Sequence, residues 1–108
     1  MKGFDIGGLL GQAQALQEKI RTAQEAIAGR VVEGSAGGGM VRVAINGRLE
    51  VTSVRIEPDL MSTPDVEMLQ DLVTAATNDG IRKAQAMVAE EMNKITGGLG
   101  LKLPGFGG

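Results

Sequence analysis

The 108-residue chain contains no cysteine, histidine, tryptophan or tyrosine, and only two phenylalanines. Each gap removes a class of chemistry. Without cysteine there is no disulfide framework, which fits a reducing compartment. Without histidine and cysteine the commonest metal ligands, nucleophiles and neutral-pH bases are missing. Phe4 and Phe106 lie in the two tails, so single-stranded bases find no aromatic platform to stack on. No apolar run approaches the roughly 18 residues of a membrane helix, and the N-terminus lacks a charged start leading into an apolar core. A soluble, cytoplasmic protein is expected, without membrane partner, cofactor, metal or small-molecule substrate.

The remaining polar side chains do not assemble into a catalyst. Glu90-Glu91 and the Asp65 to Glu67 pair fall on exposed helical turns, where nothing shifts a carboxyl pKa toward acid–base work. Serines and threonines have no histidine to activate them, and no Asp-rich calcium loop is spaced along the chain. The chain reads as a binding protein and not an enzyme.

Its net charge of −2 is unevenly spread. Residues 56–81 carry six acids and no base; the first 55 residues carry seven bases and five acids, and the stretch from Arg82 onward four bases and two acids. An acidic block between mildly basic ends can leave a usable cationic surface under an acidic total, and two copies would double it.

Three segments follow from the pattern. Residues 1–8 hold three glycines and no apolar period, which predicts a flexible arm. Leu9, Ala13, Leu16, Ile20, Ala23 and Ile27 then recur at steps of four and three, a seam on a long helix that Gly29 ends. The seam suits one close helical neighbour or an ordinary core equally well. Residues 97–108 form a Gly-rich tail, leaving 9–96 as one α+β domain.

Between the helices lies a sheet. Val31 to Glu33 reads as a strand closed by the Gly34 to Gly39 loop. That loop is not a phosphate cradle, because no Gly-Lys-Ser/Thr runs from it into a helix; Met40 to Val43 follows instead. Val41, Val43 and Ile45 alternate up to Asn46-Gly47, a hairpin signal. A two-residue turn there pairs Ile45 with Arg48, placing Val54 and Ile56 with Val41, Val43 and Ile45, and Leu49 and Val51 on the other face. Either a bulge near Thr52-Ser53 restores one apolar face or both faces are covered. The second needs no extra device and is the expectation, with a second subunit as the added cover.

Ser62-Thr63-Pro64-Asp65 reads as a helix start. Leu69, Val73, Ala76, Ile81, Ala84, Val88, Met92 and Ile95 carry the last helix, interrupted by Gly80, either for close backbone approach or for a bend. Met68, Met87 and Met92 on it are expected to fill core. A core this short of large side chains makes oligomerisation the economical solution.

Taken in order, these residues resemble the YbaB/EbfC family of nucleoid-associated DNA-binding proteins. The resemblance rests on Gln12-Ala13-Gln14 to Gln17-Glu18-Lys19, on Gly37 to Val43, on Asn46-Gly47 and on Val54-Arg55-Ile56-Glu57-Pro58. Glu67 to Val73, Ala75-Ala76, Asn78-Asp79 and Pro104-Gly105-Phe106 complete it. It departs at Gly80, where the family pattern leads to alanine. The resemblance implies an α+β protomer with a long N-terminal helix, a three-stranded antiparallel sheet and a long C-terminal helix. It further implies a homodimer formed through the sheet region with helices projecting as tweezers, and binding to double-stranded DNA with little sequence preference. Such a protein organises the nucleoid and affects expression broadly. Phosphate contacts are then expected from Lys19, Arg21 and Arg30 near the first helix and from Arg82, Lys83 and Lys94 on the last. The competing possibility is a scaffold that docks partner helices on the Leu9 to Ile27 seam.

Overall fold

The core is built around the middle strand of a three-stranded sheet. A computed structural model describes residues 5–62 and 65–98. The order is α1 (Ile6–Ala28), β1 (Val31–Ala36), β2 (Val41–Asn46), β3 (Val51–Ile56), α2 (Asp59–Ser62) and α3 (Val66–Gly98). The sheet is antiparallel in the order β1-β2-β3, so the α+β expectation holds. The molecule is long and thin, 79 × 26 × 16 Å.

Helix α1 starts at Ile6, three residues ahead of the expected boundary at Leu9, because the Asp5 carboxylate accepts from the Gly8 amide at 3.1 Å and satisfies an otherwise orphaned donor. Helix α3 starts differently from the expectation. Ser62 belongs to α2, where its hydroxyl donates to the Asp59 carbonyl at 2.8 Å; the cap of α3 is Asp65, accepting from the Met68 amide at 3.0 Å. Thr63 and Pro64 of the expected start lie outside the described residues, as do residues 1–4 of the expected arm. Residues 97 and 98 of the expected tail close α3, and the rest of that tail is likewise outside.

Val41, Val43 and Ile45 point to one face of β2 and are wholly buried. Against them α3 lays Ala76, Gly80 and Ala84, three small residues at helical spacing that bring the helix axis close to the strands. Burying each branched side chain contributes roughly 1.5–3 kcal/mol. Gly34 on β1 completes the contact: a Cβ there would fall onto the Gly80 amide and the Ala76 carbonyl. Close approach, and not a bend, is thus what Gly80 permits.

The hairpin corrects the expected two-residue turn. Its loop is Gly47-Arg48-Leu49, closed by the Asn46 amide on the Glu50 carbonyl at 3.0 Å, with Leu49 at φ 62°. That is a three-residue loop whose last member takes the left-handed conformation. Gly47 serves another purpose. Its amide donates to the Arg30 carbonyl at 3.0 Å, and a Cβ would strike the Ile27 carbonyl, so the turn sits on the end of α1.

Beyond the loop, Ile45 pairs with Val51 but Ala44 with Ser53, leaving Thr52 as an extra residue. This bulge overturns the expectation of two apolar faces. Val51 rejoins Val54 and Ile56 on the side of Ile45, while Glu33, Ser35, Arg42, Ala44, Ser53 and Arg55 share the opposite, polar side. Helix α3 covers β1 and β2 only, so Val51 and Val54 remain 48% and 47% exposed.

The two outer strands end up unlike. On β1 the Ser35 amide donates to Asp79 at 3.0 Å and the Glu33 carbonyl accepts from Lys83 at 3.4 Å. Side chains of α3 thereby engage one outward amide and one outward carbonyl of that edge. Strand β3 pairs with β2 alone among the described residues.

The seam on α1 is buried in a gradient. Ile27 is 7% exposed and Leu16, Ile20 and Ala23 are half-buried, but Leu9 is 49% and Ile6 61% exposed. The helix is held at its C-terminal end and its first turns project.

Candidate nucleic-acid interface

Five of the six expected phosphate contacts are held by carboxylates of the chain itself. Arg21, at the middle of α1, forks between Glu18 one turn before it and Glu25 one turn after, the latter at 2.9 Å. The Glu18 hydrogen bond, then the charge of Glu25, raises the Arg21 pKa. Arg30 leaves α1 and reaches Glu91 on α3; Lys94 meets the same carboxylate at 3.2 Å. Glu91 is held below the ordinary carboxylate range, first by the Lys94 hydrogen bond and also by Arg30. Arg82 and Lys83 share Asp79, at 3.8 and 3.0 Å. The Asp79 pKa is lowered chiefly by the Ser35 amide, then by Lys83. Among the described residues Lys19 forms no ion pair.

These positions form two groups. Arg30 and Lys94 converge on Glu91, where the end of α1 meets the far half of α3, and Arg82 and Lys83 converge on Asp79 beside β1. Lys19 and Arg21 lie apart from both, on α1. A cleft of about 510 Å³ at the foot of α1 is lined by Arg21, Ile27, Arg48, Val88 and Met92 among others. It brings a seventh cation, Arg48, to the side of Arg21.

Three arginines absent from the expected set complete the cationic surface. Arg48 sits in the hairpin loop, and Arg42 and Arg55 stand directly opposite each other on β2 and β3. Neither Arg48 nor Arg55 has an ion pair among the described residues. Arg42 is 3.9 Å from Glu33 and donates through Nε to the Gly39 carbonyl at 3.2 Å. The signal that finds the cross-strand pair is the strand register, which shifts with the Thr52 bulge. All of these cations are exposed, where an anion can reach them.

The sequence model of the YbaB/EbfC DNA-binding family matches residues 1–99. The chain is 56% identical over 98 residues to a nucleoid-associated protein of Syntrophobacter fumaroxidans, covering 88% of this chain and 89% of that protein. It is 50% identical over 104 residues to the nucleoid-associated protein Teth39_2199 of Thermoanaerobacter pseudethanolicus, covering 96% and 92%. The crystal structure of the uncharacterized protein HP0035 from Helicobacter pylori shares the fold, with a TM-score of 0.64 at 24% identity over 89% of this chain and 97% of that one. The chain belongs to the YbaB/EbfC DNA-binding family.

Proposed function

We propose that this protein is a nucleoid-associated homodimer that binds double-stranded DNA with low sequence specificity, organising the chromosome and influencing expression from within the cytoplasm. Membership of a DNA-binding family across residues 1–99 carries the reading. The geometry supports it in two ways. Lys19 and Arg21 lie on α1, while Arg30, Arg82, Lys83 and Lys94 lie on or beside α3, so duplex phosphates can be met by Lys and Arg with no base-reading pocket. The apolar flank of β3, with Val51 and Val54 half in water, is the kind of surface a second copy covers.

Titration of a short duplex across a salt series tests this. Retention at micromolar protein in low salt is expected, with log affinity falling by about 0.9 per log unit of salt for each phosphate neutralised. Sedimentation of the same samples is expected to show two copies, and Val54→Asp one. Failure to retain duplex at low salt removes the DNA reading; a wild-type monomer removes the dimer.

The exposed first turns of α1, with Ile6, Leu9 and Leu10 in water, favour one other reading: a scaffold that docks a partner helix there. Capture from a nuclease-treated lysate separates the two. A scaffold keeps its partners, and a DNA binder loses most of them.

A further inference from the structure

Arg42 and Arg55 are direct cross-strand neighbours on the sheet face that α3 leaves open. Side chains in such a position have Cβ atoms about 4.5–5.5 Å apart, and like charges there repel. At five other cations the chain relieves such charge with its own carboxylates: Arg21, Arg30, Arg82, Lys83 and Lys94 each have one. Here it does not. Among the described residues Arg55 has no ion pair, Arg42 has one at 3.9 Å to Glu33, at the limit of an ion pair, and Glu57, which lines the same cleft, pairs with neither.

The surroundings are shaped for an extended anion. Ser35, Ala44 and Ser53 occupy adjoining positions on the same face and present only small side chains, with Met40 and Glu57 lining the same cleft. The Gly39 carbonyl takes the Arg42 Nε at 3.2 Å. That contact engages Nε, while the terminal nitrogens have only Glu33 at 3.9 Å. Two guanidiniums side by side match a phosphate, which accepts paired N–H bonds from each. Charge complementarity therefore selects the occupant.

We propose that the Arg42–Arg55 pair grips a backbone phosphate of the bound duplex, so that the open sheet face contacts DNA together with the helices. This rests on the DNA-binding reading and adds to it a contact outside both long helices.

The test compares wild type, the double variant Arg42→Gln/Arg55→Gln and the charge-preserving Arg42→Lys/Arg55→Lys in duplex titrations across a salt series. Circular dichroism and sedimentation are run on each protein. The glutamine pair is expected to make the salt slope shallower by about 1 per protomer, the one phosphate the pair holds, with fold and oligomeric state intact, and the lysine pair to keep the wild-type slope. Wild-type binding with an unchanged slope in the glutamine pair overturns the inference and leaves the DNA reading standing. A glutamine pair that alters the oligomeric state overturns it too, since the face is then a contact between copies. Wild-type protein that binds no duplex ends both. Should the glutamine pair not fold, Ser53→Glu adds a negative charge beside Arg55; weaker binding is expected, and unchanged affinity sinks the proposal.

Discussion

Gly34 of β1 and Gly80 of α3 meet backbone to backbone, with no room for a side chain on the strand residue. The two positions are not equivalent. A Cβ on Gly34 meets an amide and a carbonyl, which cannot retreat without separating strand from helix. A Cβ on Gly80 comes within 2.8 Å of the Ile45 Cδ1, the movable end of a side chain. Gly34→Ala is expected to lower stability by at least about 3 kcal/mol, at or above the upper end of ordinary overpacking. Gly80→Ala gains roughly 1 kcal/mol of helix propensity and loses it to Ile45. Shortening Ile45 to valine removes the clashing carbon, so Gly80→Ala and Ile45→Val together are expected to be more stable than their separate effects sum to, by about 1 kcal/mol. Urea midpoints of the four proteins in that cycle decide it, and strict additivity contradicts the packing described.

Lys19 and Arg21 are two residues apart on α1 and differ in company. Arg21 is neutralised by Glu18 and Glu25, while Lys19 forms no ion pair among the described residues. Lys19→Gln is expected to weaken duplex binding and flatten the salt slope by about 1 per protomer, with a smaller change from Arg21→Gln. Removing both acids, Glu18→Gln/Glu25→Gln, frees Arg21 and is expected to tighten binding several-fold. A loss of affinity in that last variant would count against Arg21 as a phosphate contact.

The Asp79 carboxylate links α3 to the backbone of β1, and its pKa lies below the ordinary 3.8 because the Ser35 amide and then Lys83 favour the ionised form. A depressed folded value means that the stabilisation is complete above the ordinary value and is lost as pH falls through the lower one. Asp79→Asn removes the contribution at every pH. The gap in urea midpoint between wild type and Asp79→Asn is therefore expected to be widest near neutrality and to close below pH 3.8. A gap that stays constant down to acid would show that the carboxylate charge is not what holds the strand.

Much of this fold is readable from local pattern. The alternation of Val41, Val43 and Ile45 and the periodicity from Leu69 to Ile95 locate the buried strand and the helix over it. The parts that escape such reading are non-local. Asn46-Gly47 looks like a two-residue turn because those residues tolerate positive φ, yet Gly47 is needed for its contact with the end of α1, and Leu49 takes the left-handed position. The Thr52 bulge sets the face that Val51 takes, on the side of Ile45. Asp65 displaces Ser62 as the cap because α2 claims Ser62 first. For the candidate interface, composition and helical spacing identify the cations and the local pairs of Arg82 and Lys83 with Asp79 and of Lys94 with Glu91, but the Arg30–Glu91 pair joins segments far apart in sequence. The Arg42–Arg55 juxtaposition depends on a register that the turn alone misassigns.

The unlike margins of the sheet limit what association can build. With Asp79 and Lys83 seated on an outward amide and an outward carbonyl of β1, strand addition has one vacancy per chain, along β3. Two copies joined there consume both vacancies, and a third finds nothing to extend. Growth by that route terminates at a pair and does not propagate into a fibre.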